Sequence, residues 1–185
     1  MPHLPQGVKV AILVTLLAGV GAVRTTTQPE TGALTVRHVR TFSAYQRGPL
    51  RRPESVSFDP ARRELYVAAL PDHQIVIFNA KIAPVFRFEH RVPDTDGNMA
   101  PGEPCSAVVG DRGTIYVTDR TWSCIDVTDF RGRSLRTLDL GALMGLDRAA
   151  APRRMDRDEA GNLYVVEETT GQVAVLAPDG TLLRK

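Results

Sequence analysis

The sequence repeats itself three times with a period close to fifty residues. Tyr66, Tyr116 and Tyr164 stand at equivalent places, 50 and 48 residues apart, and each is followed by a valine. A proline precedes each tyrosine by 12 or 13 residues, and a turn-forming segment that contains aspartate lies between them. Self-similarity at a fixed period indicates a repeat architecture, in which each unit buries its apolar face against the next unit.

Each repeat resolves into four short strands separated by turn-forming residues. The predicted strands are residues 55–58, 64–69, 74–79 and 84–89, then 106–110, 114–119, 125–128 and 134–140, then 153–157, 162–167, 172–177 and 181–184. Four short antiparallel strands in about 40–50 residues are typical of one blade of a β-propeller. The pattern therefore predicts an all-β chain of propeller blades, in which only the connection at residues 140–151 has helical character.

Residues 34–42 resemble the fourth strand of a repeat and are predicted to form an outer strand. Blades are expected at about residues 50–92, 103–140 and 152–185, with residues 23–33 as a linker. Three blades are fewer than the usual minimum of about four, so the ring is expected to be incomplete or open. The chain could be half of a larger propeller, a ring completed by a second copy, or a persistent open arc.

The first 22 residues differ from the rest of the chain. Lys9 is followed by an apolar run from Val10 to Val20 and by small residues at positions 20 and 22, which is typical of a signal peptide. Export to the periplasm or the extracellular space is therefore expected. The apolar run extends from residue 8 to residue 23, so an uncleaved hydrophobic helix that anchors the chain in a membrane is the alternative.

The charge of the chain is nearly balanced, with 23 Lys and Arg residues against 21 Asp and Glu residues. Nucleic-acid binding depends on neutralising phosphates with concentrated positive charge, so this composition argues against such a partner. The expected partner is an unidentified ligand or protein, or further propeller blades from a second copy or a missing half.

The second and third repeats resemble the NHL repeat of six-bladed β-propellers. The resemblance is carried by Pro104, by Tyr-Val-Thr-Asp-Arg at residues 116–120, by Ile-Asp-Val at 125–127 and by Ala-Gly-Asn-Leu-Tyr-Val at 160–165. It covers about residues 50–185 and implies a propeller fold; such propellers include binding modules, lactonases and lyases. The first repeat departs from the pattern, because Ala69 stands where the others have Asp119 and Glu167.

In propellers, ligands usually bind at the face that carries the loops entering each first strand and the loops between second and third strands. Candidate ligand-binding residues at this face are Glu54, His73, Glu103, Asp119, Arg120 and Trp122. His73 is a candidate base and Trp122 a candidate stacking platform, although a turn cap and a packing residue are the simpler interpretations. The Asp119-Arg120 pair resembles the lyase-type propellers, but Trp122 follows where that pattern has other residues.

Two further features allow metal or disulfide chemistry. Asp94, Asp96 and Glu103 form an oxygen-rich group that could bind Ca²⁺, the one cofactor considered, or form a solvated turn instead. In lactonase-like propellers, acids placed like Glu54 and Glu103 help to hold a central metal. Cys105 and Cys124 could form a disulfide in an exported protein, but two strand spacings of about 9.5 Å exceed the usual bonding distance.

These observations predict an exported β-propeller that serves as a binding or interaction scaffold, because the sequence contains no recognisable catalytic motif. One alternative is a metal-dependent hydrolase or lyase that uses Glu54, Glu103 and Asp119. Another is a propeller fragment without an independent function. Fold alone does not decide between these functions.

Overall fold

A computed structural model of the protein describes Arg37, residues 44–45 and residues 48–185. All elements named below lie within Arg40–Lys185. The predicted signal segment or anchor at residues 1–22, the linker at 23–33 and, apart from Arg37, the outer strand at 34–42 lie outside the described residues. None of the described helices is long and apolar enough to cross a membrane.

The described residues are mostly β-strand. In chain order the elements are β1 (Ala44–Tyr45), β2 (Gly48–Pro49), β3 (Pro53–Asp59), β4 (Glu64–Ala69), β5 (Gln74–Asn79), β6 (Pro84–Glu89), β7 (Arg91–Pro93), β8 (Met99–Pro101), β9 (Pro104–Val109), β10 (Ile115–Asp119), β11 (Cys124–Thr128), β12 (Ser134–Asp139), α1 (Leu140–Met144), β13 (Pro152–Arg157), β14 (Leu163–Glu167), β15 (Gln172–Leu176) and β16 (Leu182–Arg184).

Three antiparallel four-stranded sheets account for twelve of these strands. Blade 1 contains β3–β6, blade 2 contains β9–β12 and blade 3 contains β13–β16, each paired in chain order. None of these sheets closes on itself, and the prediction of propeller blades in an incomplete ring is confirmed. The short hairpin β7–β8, between blades 1 and 2, was not predicted, and the brief helix α1 forms where the sequence has helical character.

Strand alternation explains how the blades stack, because successive side chains of a strand point to opposite faces. In β10, Ile115 and Val117 pack with blade 1 residues, whereas Tyr116 packs with blade 3 residues. Two apolar clusters therefore fill the two junctions between neighbouring blades. A third cluster, formed by Val67, Val76 and Phe78, lies on the face of blade 1 that points away from blade 2.

A serine hydroxyl donates a hydrogen bond to a main-chain carbonyl at each junction. The Ser57 hydroxyl donates to the Ala107 carbonyl between blades 1 and 2, and the Ser106 hydroxyl donates to the Met155 carbonyl, 3.3 Å away, between blades 2 and 3. The two acceptors hold equivalent places, opposite Val117 and Val165, whereas the donors differ by two positions, because Ser57 pairs with Tyr66 and Ser106 with Thr118. Each junction thus combines apolar burial with a directional bond that fixes how neighbouring first strands lie against each other.

The turns also follow the repeat, because each has a residue in the left-handed backbone region at an equivalent position; the turn between β9 and β10 has a second one, Arg112. These positions are spaced 50 and 48 residues apart, as the tyrosines are: Arg63, Gly113 and Gly161; His73, Ser123 and Gly171; Ile82, Gly132 and Gly180. Only blade 3 has glycine at all three positions. Since a side chain disfavours this conformation, blades 1 and 2 carry more backbone strain than blade 3.

Candidate functional site

The topology gives the stack of blades two different ends. The blade-to-blade connections and the turns between second and third strands lie at one end, which we call the loop end. The turns between first and second strands and between third and fourth strands lie at the other, which we call the turn end. All candidate residues predicted from the sequence lie in segments of the loop end.

An ion-pair network joins blades 1 and 3 at the loop end. Glu54 Oε1 lies 2.8 Å from the Arg153 guanidinium and 3.7 Å from that of Arg154, which also donates to the Glu54 main-chain carbonyl. Arg153 contacts Glu168 as well, at 3.3 Å. Glu54 and Arg153 both follow the proline of their repeat. The carboxylate predicted to face a ligand or a metal is therefore neutralised by the repeat-equivalent residue of blade 3.

Asp119 belongs to a fully buried acid–histidine–acid cluster between blades 1 and 2. His90 Nε2 lies 3.1 Å from Asp119 Oδ2, and His90 Nδ1 lies 3.7 Å from Asp126 Oδ2. All three side chains are inaccessible to solvent. Asp119 and Asp126 lie on the face of blade 2 that points to blade 1. Asp119 is two residues after Val117 in β10, Asp126 is the cross-strand partner of Val117, and Val117 packs against blade 1.

The backbone around His90 fixes its position. The His90 amide donates to the His73 carbonyl over 2.6 Å, and the Gly102 amide donates to the His90 carbonyl over 3.0 Å. His73 Nδ1 is 2.7 Å from the Gly102 carbonyl. A β-carbon at Gly102 would lie 2.3 Å from Asp119 Oδ2, so only glycine lets the β7–β8 hairpin approach the cluster this closely.

The electrostatics of this cluster favour a structural role. Burial raises the pKa of the Asp126 carboxyl above its ordinary value, although a hydrogen bond from Ser134 and the nearby His90 oppose the shift. Neither His90 ring nitrogen makes a hydrogen bond of good geometry with another described residue. The cluster is enclosed and has no access to a substrate. Its contacts link the residue that follows β6 of blade 1 to two strands of blade 2.

Sequence reasoning identified Asp119 but missed His90 and Asp126. Asp126 carried a usable signal, because it is a carboxylate within the apolar strand Cys-Ile-Asp-Val-Thr, and buried charges are almost always paired. His90 had no comparable signal. It follows the last residue of β6, and its placement depends on the unpredicted hairpin.

A cleft of about 320 Å³ opens at the loop end beside Trp122. Hairpin residues 92–95, the turn residues 122–124, and Thr137, Asp139 and Ala149 line it. The Trp122 indole nitrogen donates to the Pro101 carbonyl over 3.3 Å, and its amide donates to Asp119 Oδ1 over 2.7 Å. Both bonds hold the indole at the wall. The described residues that line the cleft include two carboxylates, Asp94 and Asp139, and neither lysine nor arginine.

The remaining predicted residues occupy separate places at the loop end. His73 has a left-handed backbone, caps a single helical turn and contacts Gly102. Arg120 is exposed, and its amide donates to the Glu103 carbonyl over 3.0 Å. Asp94 Oδ1 accepts hydrogen bonds from the Asp96 and Asn98 amides, which is the turn interpretation of this segment. Within the described part of the chain, no three His, Cys, Asp or Glu residues are arranged to hold a metal.

The two cysteines are buried and not bonded to each other. They lie on β9 and β11, with β10 between them, so the disulfide considered from the sequence is corrected to two free thiols. Burial raises the pKa of the Cys105 thiol to about 11 and that of Cys124 still further. Both thiols therefore stay protonated at neutral pH and behave as small apolar side chains.

Glu167 holds the third-repeat position that corresponds to Asp119, and it is also buried. Its carboxylate accepts hydrogen bonds from the amide of Ala151 and from the amides and hydroxyls of Thr169 and Thr170, at 2.6 to 3.0 Å. Burial raises the pKa of this carboxyl, but the hydrogen bonds from Thr170, Ala151 and Thr169 outweigh that effect and lower it to about 2. The residue ties the loop that enters blade 3 to the turn after β14.

No protein-family model and no curated protein matches the chain. Among solved structures, it is similar to a streptogramin B lyase, at 15% identity and a TM-score of 0.51 over 70% of this chain and 39% of that one. It is similar to virginiamycin B lyase from Staphylococcus aureus, at 13% identity and a TM-score of 0.50 over 70% and 39%. It is also similar to Kuenenia stuttgartiensis hydrazine synthase, at 16% identity and a TM-score of 0.52 over 83% and 38%.

At such identities the likeness concerns the fold alone, and the chain spans about two fifths of the length of these proteins. The solved neighbours are β-propeller-like proteins with sheets of four antiparallel strands. The three blades described above have the same construction, and the chain therefore has a β-propeller-like fold.

Proposed function

We propose that the protein is an exported, NHL-like propeller module that binds a small ligand at its loop end, in the cleft beside Trp122. The observation that carries this proposal is the cleft itself, whose volume of about 320 Å³ falls in the usual range for small-molecule sites. An indole, two carboxylates and the absence of basic residues from the lining favour a cationic or neutral ligand over an anion. Export is supported by the apolar pattern of residues 1–22.

Binding is favoured over the metal-dependent hydrolase or lyase that the sequence also suggested. That alternative requires Glu54, Glu103 and Asp119 to face a common cation. Glu54 is paired with Arg153, and Asp119 is enclosed with His90. The proposal also differs from the third alternative, a propeller fragment without an independent function, because it assigns a binding site to the chain itself.

The proposal can be tested by fluorescence, because Trp122 is the single tryptophan of the chain. The purified protein is titrated with tetraethylammonium, n-butylamine and glucose while the tryptophan emission is followed. A saturable change is expected with at least one of these probes. It should disappear in Thr95→Arg, which fills the cleft, and persist in Asn98→Arg, which adds the same side chain outside the lining. No saturable response to any probe would contradict the proposal.

A further inference from the structure

A larger groove lies at the turn end between blades 1 and 2, on the opposite end of the blades from Trp122. Its volume is about 590 Å³, within the usual range for sites that enclose small molecules. Tyr66, Ile77, Val109 and Ile115 provide lining from the two facing sheets. These side chains belong to strands that the apolar junction holds in place, so the base of the groove is rigid.

Exposed apolar side chains extend the groove at its rim. Val85 and Phe86 on β6 are 50% and 42% exposed, and Phe130 on the turn between β11 and β12 is 59% exposed. Large apolar side chains that are exposed together around a groove usually mark a surface that binds a ligand or a partner. The aromatic rings supply contact area at low entropic cost, so the rim favours a ligand with an apolar body.

The charge at the rim is positive and largely uncompensated. Arg62, Arg112 and Arg131 line the groove. Glu64 is the only acid among the described residues that line it, and it accepts a hydrogen bond from the Tyr66 hydroxyl over 2.8 Å. Arg62 is paired with Asp59. Among the described residues, no carboxylate lies within ion-pair distance of Arg112 or Arg131, and the Arg131 guanidinium rests 5.2 Å from the centre of the Phe130 ring.

The next junction provides an internal comparison. Between blades 2 and 3, the equivalent groove is smaller, about 370 Å³, and Arg157 there is paired with Asp111 at 2.6 Å. The Tyr116 hydroxyl donates to the Pro178 carbonyl, 2.8 Å away, across this second groove. Tyr66, the repeat equivalent of Tyr116, instead turns to Glu64 of its own strand. The second groove is also cationic, because Arg112 and Arg136 line it beside Arg157. The first junction differs in being open and rimmed by phenylalanines, where the second is bridged by a hydrogen bond.

From this combination we propose that the groove between blades 1 and 2 binds an amphipathic organic anion. The apolar body lies along Ile77, Ile115 and the rim phenylalanines, and the anionic head contacts the guanidinium groups of Arg112 and Arg131. Guanidinium groups bind carboxylates through paired, charge-assisted hydrogen bonds. The site is separate from the cleft beside Trp122 and takes a ligand of the opposite charge preference.

The test is isothermal titration calorimetry of the full-length protein with sodium decanoate below its micelle-forming concentration. Decyltrimethylammonium serves as a probe of equal chain length and opposite charge. Saturable binding of decanoate is expected, with little binding of the cation. The double variant Arg112→Gln/Arg131→Gln should weaken decanoate binding by about tenfold or more, which is about 1.4 kcal/mol or more of binding free energy, because the carboxylate loses its charge-assisted hydrogen bonds.

Arg63→Gln is the matched control, because Arg63 is an exposed neighbour of Arg62 that does not line the groove. Its affinity for decanoate should equal that of the unchanged protein. Phe86→Ser tests the apolar part and should weaken decanoate binding without altering the preference for anion over cation. Equal binding of both probes, unchanged affinity in the double variant, or no saturable binding of decanoate would each overturn the proposal.

Discussion

At the scale of single residues, one position of the repeat has a different side chain, with different contacts, in each blade. The position at the end of the second strand is Ala69 in blade 1, Asp119 in blade 2 and Glu167 in blade 3. The same place in the repeat therefore serves three different purposes. Ala69 packs in the core, Asp119 contacts His90, and Glu167 collects five hydrogen bonds from a loop and a turn.

The low pKa of the Glu167 carboxyl predicts that the protein loses stability in acid. Its pKa is about 2 in the folded protein and about 4.3 in an unfolded chain. The unfolded state therefore binds the proton first as the pH falls. The stabilisation is complete above about pH 5 and is lost as the pH falls towards 2. Glu167→Gln should lower the free energy of unfolding at neutral pH by about 1–3 kcal/mol, because buried donors lose their ionised acceptor.

The measurement is urea denaturation of both proteins between pH 7 and pH 2.5. Between pH 5 and the acid end, the stability of Glu167→Gln should decline less steeply than that of the unchanged protein. Glu168→Gln is the control, since it removes the same charge from a neighbouring side chain that is 60% exposed. Parallel pH profiles for Glu167→Gln and the unchanged protein would contradict this account.

At the scale of elements, the turns show how the repeat tolerates divergence. Each turn type keeps one left-handed residue at the repeat spacing, although the residue is glycine in blade 3 and arginine, histidine or isoleucine in blade 1. A left-handed conformation costs a residue with a side chain about 1–2 kcal/mol. Packing offsets the cost at Ile82, which contacts the cluster of Val67, Val76 and Phe78.

Arg63 has an exposed side chain and a φ of 56°. Arg63→Gly is therefore expected to raise the free energy of unfolding by about 0.5–1 kcal/mol, because the relieved strain exceeds the entropy that glycine adds to the unfolded chain. The repeat-equivalent change Gly161→Ala should have the opposite sign, since φ is 91° there and the added β-carbon would lie 3.0 Å from Arg157 and Pro178 atoms. Urea denaturation of both variants checks the pair, and a loss of stability in Arg63→Gly would refute the strain argument.

At the scale of the whole molecule, the outer faces of the first and last blades are apolar and unevenly covered. On blade 1, Val56 and Phe58 are 61% and 57% exposed and pair across the sheet with Val67 and Leu65. On blade 3, Val166 and Val173 pair with each other and are also exposed. In a propeller, such faces pack against neighbouring blades, so they are the surfaces on which this arc can associate.

We expect the protein to self-associate as its concentration rises, and the double variant Val56→Thr/Phe58→Thr to shift this association to higher concentration by removing apolar area from the end face. Light scattering over a concentration series measures the mass. Leu135→Thr is the control, because Leu135 is 58% exposed but lies on the outermost strand of blade 2 rather than on an end face. A constant mass for all variants would show that the end faces do not associate.

The sequence by itself determined the repeat unit. The tyrosine spacing, the turn residues and the alternation within each strand are local signals, and strand pairing between neighbours in the chain follows from them. For this reason β4, β5 and β6 begin and end at the predicted residues, and the other blade strands differ by at most two residues at either end. The all-β prediction depended on these local signals, and the incomplete-ring prediction on the number of times that they repeat along the chain.

Only the tertiary structure decided which side chains meet between blades. Glu54 and Arg153 are 99 residues apart, and His90 is 29 residues from Asp119, so no local pattern relates them. Their pairing depends on how one sheet stacks on the next and on the close approach at Gly102. Glu54 and Asp119 are candidate metal ligands when each strand is considered alone, but sheet stacking places Arg153 beside the first and His90 beside the second.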